Sequence, residues 1–371
     1  MHLGFALLTM FPGRVGGSET YVHGLLSEFG KGNGPDQVTV LANRHVMEAY
    51  KDDGPVHLHH VRSYRPGDRN ATRFAALQRA RIAPRAVARD APRDFDLLHY
   101  PVTIPVPRLP DVPTIVSLLD VQHHELPHLF SPLERRLRAW AYDDAAREAD
   151  LVVTISEHSR RTIAERLGID LERIVAIPLG VDHTRFTPEG PSADGVPQRY
   201  VFYPANMWPH KNHERMLDAF ARAEDDDLWL VLTGQPYGNE KLLDGRERVL
   251  HLGHVSAAEI VGLYRGALGL VFPSLFEGFG LPVLEAMACG CPVATSNRGS
   301  LAEVAHGAAL EFDPEDVDAI AAAIDRLASD EALRADLRAK GMAHAARFTW
   351  GATAHRHVQV YERALSGSAR A

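Results

Sequence analysis

The chain has 371 residues, 45% of them hydrophobic and 24% charged, with a formal net charge of −8 at pH 7. That length can build two domains with full cores, and the acidic balance argues against nucleic acid as the main partner, because phosphate binding needs a basic face. Two cysteines, Cys289 and Cys291, leave no room for a disulfide framework, so a reducing, cytoplasmic setting is expected.

The opening "MHLGFALLTMF" lacks a basic leader and a small-residue cleavage site, so it reads as a buried strand rather than a signal peptide. No apolar run approaches the ~20 residues that a membrane-spanning helix needs. Strands are expected at 3–9, 37–42, 56–61, 96–99, 113–118, 151–154 and 174–177. Helical patterns fall between them, as at 20–30, where Val22, Leu25, Leu26 and Phe29 share one face. The polar, Pro/Gly-rich passage "TPEGPSADGVPQR" marks a linker at about 186–197. Strands follow near 200–204, 228–233, 249–252, 268–272, 292–295 and 309–312, with helices at 212–223, 256–266, 281–289, 300–306 and 314–329. Strand–helix alternation in two blocks predicts an α/β protein of two doubly wound, Rossmann-like domains with parallel sheets, 1–185 and 198–348. Ligands of such sheets bind beyond the carboxyl ends of the strands, so a deep cleft between facing domains is the expected site. The polar, alanine-rich helices after 330 are expected on the surface, packing across that cleft.

Three stretches carry chemistry. In "GRVGGSETYVHGLL" (13–26), Gly16 and Gly17 precede a helix for which Ser18 is the expected N-cap. Adjacent glycines admit close backbone approach, and a helix start offers N–H groups to an anion. Glycine at such turns also serves conformation alone. The pattern is not G-x-G-x-x-G, which disfavours a nicotinamide dinucleotide. In "FYPANMWPHKNHERMLDAF" (202–220), Lys211 stands just before Asn212, the expected N-cap of the next helix. A lysine there suits a phosphate, although a solvated lysine is the commoner use. In "PSLFEGFGLPVLEAMACG" (273–290), Glu277 precedes a "GFG" turn and Glu285 falls inside the following helix. A surface glutamate does not explain the apolar flanks Leu275, Phe276, Phe279, Met287 and Ala288. A carboxylate accepting two vicinal hydroxyls explains each of the two. The C-G-C of Cys289 and Cys291, with no second pair, reads as a small residue at a helix end and a buried thiol.

The run "FPSLFEGFGLPVLEAMACGCPVATSNRGSLAEV" resembles the Glu-x7-Glu signature of the retaining glycosyltransferases of family 4. "GGSE", "LVVTISEHSRR", "IPLGVD", "WPHKN" and "HLGHVSAAEIVGLYRGA" extend the likeness, in order, over nearly the whole chain. The resemblance implies the GT-B fold, with the acceptor bound by the N-terminal domain and the donor by the C-terminal one. A last helix, about 349–371, would return to the first domain. It implies that Glu285 binds the donor ribose and Glu277 the transferred sugar, with Gly278 and the N–H groups of Phe279, Gly280 and Leu281 at the sugar or its phosphates. Lys211 would neutralise the diphosphate, Gly16 and Gly17 would approach it, and the base would lie near Gly234, His254 and Val255.

Two positions depart from the family pattern. Asn206 stands where an arginine is common, so either its amide donates a hydrogen bond or His210 or Arg14 supplies the cation. Leu119 replaces the histidine of an acceptor-side His-Asp pair, which leaves Asp120, with His123, to inherit that site; His124 and His128 read as ordinary surface or packing histidines. The implied reaction moves a hexosyl group from a nucleoside-diphosphate sugar to a glycan, lipid-linked or small-molecule acceptor, with retention. Lys211 and loop amides would stabilise the leaving group, and no metal or other cofactor is required. GDP-mannose is the first donor to test, with UDP- and dTDP-sugars next. A nucleotide-sugar epimerase, a sugar phosphorylase and a non-catalytic nucleotide-sugar-binding protein are the alternatives. The twenty histidines show no H-x3-H or H-E-x-x-H spacing, so no metal site is expected. Arg69, Arg73, Arg81, Arg85, Arg89 and Arg93 recur at multiples of four and raise peripheral contact with an anionic inner membrane face through 69–93, against a solvated helix face interrupted by Pro84.

Overall fold

The computed structural model describes residues 1–13, 16–67, 70–87, 89–109 and 111–368. It divides into two units, Met1–Gly180 with Trp350–Ala371, and Val181–Thr349.

The first unit carries seven strands: β1 (His2–Ala6), β2 (Gln37–Ala42), β3 (Val56–His60), β4 (Leu97–Tyr100), β5 (Thr114–Ser117), β6 (Leu151–Thr154) and β7 (Ile174–Ala176). They pair in the order β3-β2-β1-β4-β5-β6-β7, every pairing parallel. Near-continuous apolar strands such as β4 and β6 are buried along their length, as a sheet covered on both faces requires. The helix Trp350–Ser368 packs against Gly17–Gly30, β4 and β5 within this unit. Their close approach depends on Gly24, where an added Cβ would lie 2.3 Å from the Trp350 ring. A fully buried polar chain fastens the same helix. The Tyr21 hydroxyl meets Ser117 Oγ (2.8 Å) and His357 Nε2 (2.7 Å), while His99 meets Ser117 Oγ (2.7 Å) and the Tyr361 hydroxyl (2.8 Å).

The second unit carries β8 (Tyr200–Pro204), β9 (Trp229–Thr233), β10 (Val249–His251), β11 (Gly269–Phe272), β12 (Val293–Ser296) and β13 (Leu310–Phe312), in the all-parallel order β10-β9-β8-β11-β12-β13. In both sheets the order reverses once, between β1 and β4 and between β8 and β11. Such reversal points are where doubly wound sheets open toward ligands.

Some expectations need correction. The passage 186–197 is bonded to the second unit: the Ala193 N–H donates to Gly262 O, and Arg265 donates to Thr187 O and Oγ1. The helix Glu331–Ala345 belongs to the second unit and packs on Leu281–Ala288, because Gly341 lets Met287 approach closely. The arginine-rich stretch forms two helices, Asn70–Ile82 and Pro84–Val87, broken at Pro84. Arg73 lies 3.7 Å over the Phe11 ring and Arg81 5.0 Å over Trp140, so both are engaged within the unit; Arg69 falls outside the described residues. Cys289 and Cys291 are buried free thiols, each pushed up to about 12 by that burial. No described helix is long and apolar enough to cross a membrane.

Candidate functional site

The reversal point of the second sheet gathers the residues singled out by their chemistry. The chain leaves β8 at Pro204 and enters a short 3-10 turn, Pro209–Lys211. It leaves β11 at Phe272 and enters the loop bearing Glu277. The two loops are tied together by the Leu275 N–H, which donates to His210 O (2.8 Å), while the Tyr203 hydroxyl of β8 steadies the first loop by donating to Lys211 O. Asn212 adds a second tie, donating from its side-chain amide to Pro273 O (3.0 Å), and also reaches Pro314 O (2.7 Å). It occupies the N-cap position at φ 63 but makes no side-chain cap; its Oδ1, the atom that would accept one, takes Arg215 Nη1 instead (3.0 Å).

Lys211 Nζ lies 2.5 Å from Glu277 Oε1 and 5.3 Å over the Phe272 ring, with the two ionic side chains only 17% and 14% exposed. Glu277 is held by its main chain as well, its carbonyl accepting from Ser300 Oγ (2.6 Å). Gly278 and the buried Phe279 lead to Gly280, whose φ of 115 suits glycine alone and starts the helix Leu281–Ala288. Pro282 sits in its first turn, where a missing N–H costs nothing. In that first turn Pro282 carries no N–H and the Val283 N–H donates to Gly280 O (3.0 Å).

Glu285 lies one turn into this helix. Its Oε2 accepts from the Tyr264 hydroxyl (3.3 Å), and burial raises its carboxyl from 4.5 to about 7, against the smaller opposing effects of Tyr264 and Arg185. A half-buried carboxyl poised near neutrality is not a solvated surface group. Tyr264 and Arg185 escape sequence reasoning, because they are 21 and 100 residues away and no local spacing couples them to Glu285.

Gly234 follows β9, and its N–H donates to Gly253 O (2.7 Å), joining it to the turn that carries His254 and Val255 after β10. The expected base-side residues therefore lie at the ends of adjacent strands. Asn206 Oδ1 accepts from the Gln235 N–H (2.7 Å), so its oxygen links the loops after β8 and β9. His210 does not replace the absent arginine: burial lowers it from 6.5 to about 4, which keeps it neutral. Arg14 lies outside the described residues. His213, missed in the sequence, packs its ring at a tilt against Tyr203 (4.8 Å between centroids) and leaves its buried Nδ1 without a described partner.

The remaining expected residues lie in the first unit. Gly16, at φ 54, is itself the N-cap of Gly17–Gly30, so Ser18 falls inside the first turn. Asp120 follows β5 and accepts the Gln122 N–H at Oδ1 (3.0 Å), starting the short helix Gln122–Glu125. His123 is not its partner. It is buried and turned to Asp143 (3.0 Å), which also takes His124 (2.8 Å). His123 is thereby removed from the accessible acceptor-side set, and His124 joins it in packing.

Two family models match successive parts of the chain. "Glycosyltransferase Family 4" covers residues 15–185, and "Glycosyl transferases group 1" covers 191–344. The chain belongs to glycosyltransferase family 4. This family 4 chain is 34% identical to O-antigen chain mannosyltransferase B of Escherichia coli over 242 residues, which covers 58% of this chain and 61% of that one. The match thus spans less than two thirds of that relative's length. Sucrose-phosphate synthase from Thermosynechococcus elongatus superposes with a TM-score of 0.80 at 20% identity, over 99% of this chain and 100% of that one. HepE of Anabaena, solved in complex with UDP-glucose, superposes at 0.70 and 18% identity, over 99% and 100%. At such identities the likeness is one of fold: two Rossmann-like domains of the GT-B type.

Proposed function

We propose that this family 4 chain transfers a hexosyl group, mannosyl in the first instance, from a nucleoside-diphosphate sugar to an acceptor hydroxyl of a glycan, lipid-linked or small-molecule acceptor. The observation that carries the reading is the meeting of Lys211, Glu277 and the start of Leu281–Ala288 at one sheet reversal, with Glu285 one turn further. In this scheme the diphosphate exchanges places with Glu277 as the partner of Lys211. The freed Glu277 carboxylate accepts hexose hydroxyls, and ionised Glu285 accepts the ribose hydroxyls. The N–H groups of Phe279, Gly280 and Leu281 face the sugar and its phosphates, and Gly16 and Gly17 offer theirs to the donor. The base rests by Gly234, His254 and Val255, with Asn206 holding the loop beside it.

Departure of the nucleoside diphosphate leaves oxocarbenium character on the sugar. Lys211 and the helix start stabilise the developing phosphate charge, so the donor half of the scheme calls for no metal. Attack comes on the face the phosphate leaves, with that phosphate taking the acceptor proton and Asp120 orienting the acceptor; the anomeric configuration is then retained. Mannose is favoured over glucose by the 34% identity to a named mannosyltransferase, whereas HepE, bound to UDP-glucose, is similar at 18%.

The test is calorimetric titration of GDP, UDP and dTDP, followed by turnover with the matching sugar nucleotides and NMR of the product anomer. Binding of one nucleotide, weakened in Lys211→Ala and Glu285→Ala, is expected. Turnover without acceptor would point to an epimerase and turnover with orthophosphate to a phosphorylase. Binding without release of nucleoside diphosphate would point to a binding protein.

A further inference from the structure

The first unit holds a side-chain cluster that the donor chemistry does not use. His123 and His124 sit in the helix Gln122–Glu125, next to each other in the chain. Neighbouring helical positions point ~100° apart, yet both rings turn to one carboxylate. His123 Nε2 lies 3.0 Å from Asp143 Oδ1 and His124 Nε2 lies 2.8 Å from Asp143 Oδ2, with the ring centroids 4.3 Å apart. Asp143 closes a turn of π-helix, Ala139–Asp143, inserted between Pro132–Arg138 and Asp144–Glu148. Such insertions shift the register of a helix by one residue and recur at functional sites.

The cluster has the chemistry of a cation site. Its three donor atoms all fall within 4.8 Å of one another. The Asp143 side chain is 2% exposed, and among the described residues its ionic partners are these two imidazoles, with no lysine or arginine. A buried carboxylate without a fixed cation is costly, and a divalent ion between the three donors removes that cost. Two imidazoles and a carboxylate suit zinc, whose ligands stand about 2.0–2.2 Å from the ion. Three protein ligands would leave a fourth tetrahedral position, and the cluster is not sealed, since the His124 side chain is 29% exposed.

We propose that His123, His124 and Asp143 bind a divalent transition-metal ion, zinc by donor chemistry. The ion fastens the loop of Asp120 to the helix that follows the π-turn. Since the Gln122 N–H binds Asp120 Oδ1, it acts on Asp120 by positioning. The inference is independent of the donor chemistry above.

The test is zinc titration of the chelator-stripped full chain by calorimetry, with bound metal counted by elemental analysis and thermal unfolding followed with and without zinc. One equivalent is expected, with a zinc-dependent rise in Tm and no replacement by magnesium. His124→Ala, at the partly exposed ligand, keeps the fold and lowers zinc affinity by ~100-fold or more, since even outer partners of metal ligands cost ~10–100-fold; Asp143→Asn does the same. Failure of the parent to bind zinc overturns the proposal. Equal binding by parent and His124→Ala overturns it too, because the ion then sits on other histidines.

Discussion

Lys211 and Glu277 form an ion pair of 2.5 Å between the loops that follow β8 and β11, 66 residues apart in sequence. Each neutralises the other, so in the proposed scheme a diphosphate takes Glu277's place at Lys211. Lys211→Ala removes the partner of a mostly buried carboxylate and is expected to destabilise the second unit by about 1–3 kcal/mol. The double variant Lys211→Ala/Glu277→Gln should recover part of that loss in urea denaturation, as a coupled pair requires. Turnover behaves differently: kcat should fall ~100-fold or more in both, since the double variant still lacks the cation at the leaving group. Full recovery of turnover in the double variant would remove Lys211 from the chemistry.

Glu285 gives a pH signature of known sign. Its carboxyl titrates near 7 in the fold against 4.5 ordinarily, so between those values the folded chain holds a proton that the unfolded chain has lost. Stability is therefore greatest below the unfolded value and declines as pH rises through about 7, by up to about 3 kcal/mol. Glu285→Gln should abolish that decline in denaturation at several pH values. If the proposed ribose role holds, nucleotide affinity should move oppositely in the parent, rising toward about pH 8 as the Glu285 carboxylate ionises, while the variant binds weakly at every pH.

The polar chain around His99 and His357 predicts acid sensitivity in the first unit. Burial lowers both histidines, His357 from 6.5 to about 4 and His99 well below its usual range, the latter helped by the His357 charge. The unfolded chain takes up protons first as pH falls below 6.5, so stability is lost from there down toward about 4. The slope is ~1.4 kcal/mol per pH unit for each histidine. Replacing His357 with Gln should flatten it by one proton, and hydrogen exchange should locate the early opening in Trp350–Ser368. An unchanged slope would place the acid response elsewhere.

Two glycines should differ on substitution for a geometric reason. At Gly234 an added Cβ meets backbone, 2.6 Å from Ala205 C, whereas at Gly280 it meets the tip of Leu301, 2.6 Å from Cδ2. Both also have φ above 110, which costs a residue with a side chain about 1–2 kcal/mol. Gly234→Ala should therefore cost more in thermal unfolding than Gly280→Ala, whose Leu301 neighbour can turn aside. Gly280→Ala should instead raise KM for the donor by distorting the start of Leu281–Ala288.

The sequence by itself determined the strands, because apolar runs of four to seven residues between amphipathic helices have few other uses. All thirteen occur within about three residues of their expected ends. It also determined the Glu277–Glu285 spacing, since a helix begins wherever Gly280 and Pro282 allow it. Local chemistry can be read where partners are near in sequence. Only the tertiary structure decided which side chains meet across elements: that Lys211 pairs with Glu277, that Tyr264 reaches Glu285, and that His210 is too buried to hold a charge. Asn212 shows the same limit, a residue with the right identity and place for a cap whose Oδ1 accepts from Arg215 while its amide N–H groups go to Pro273 and Pro314. His123 is the clearest case. Spacing rules gave it no metal partner and the family resemblance placed it beside Asp120, while a π-turn twenty residues later brought Asp143 to it. Burial and long-range contact set the charge and direction of a side chain, and neither is a property of its neighbours along the chain.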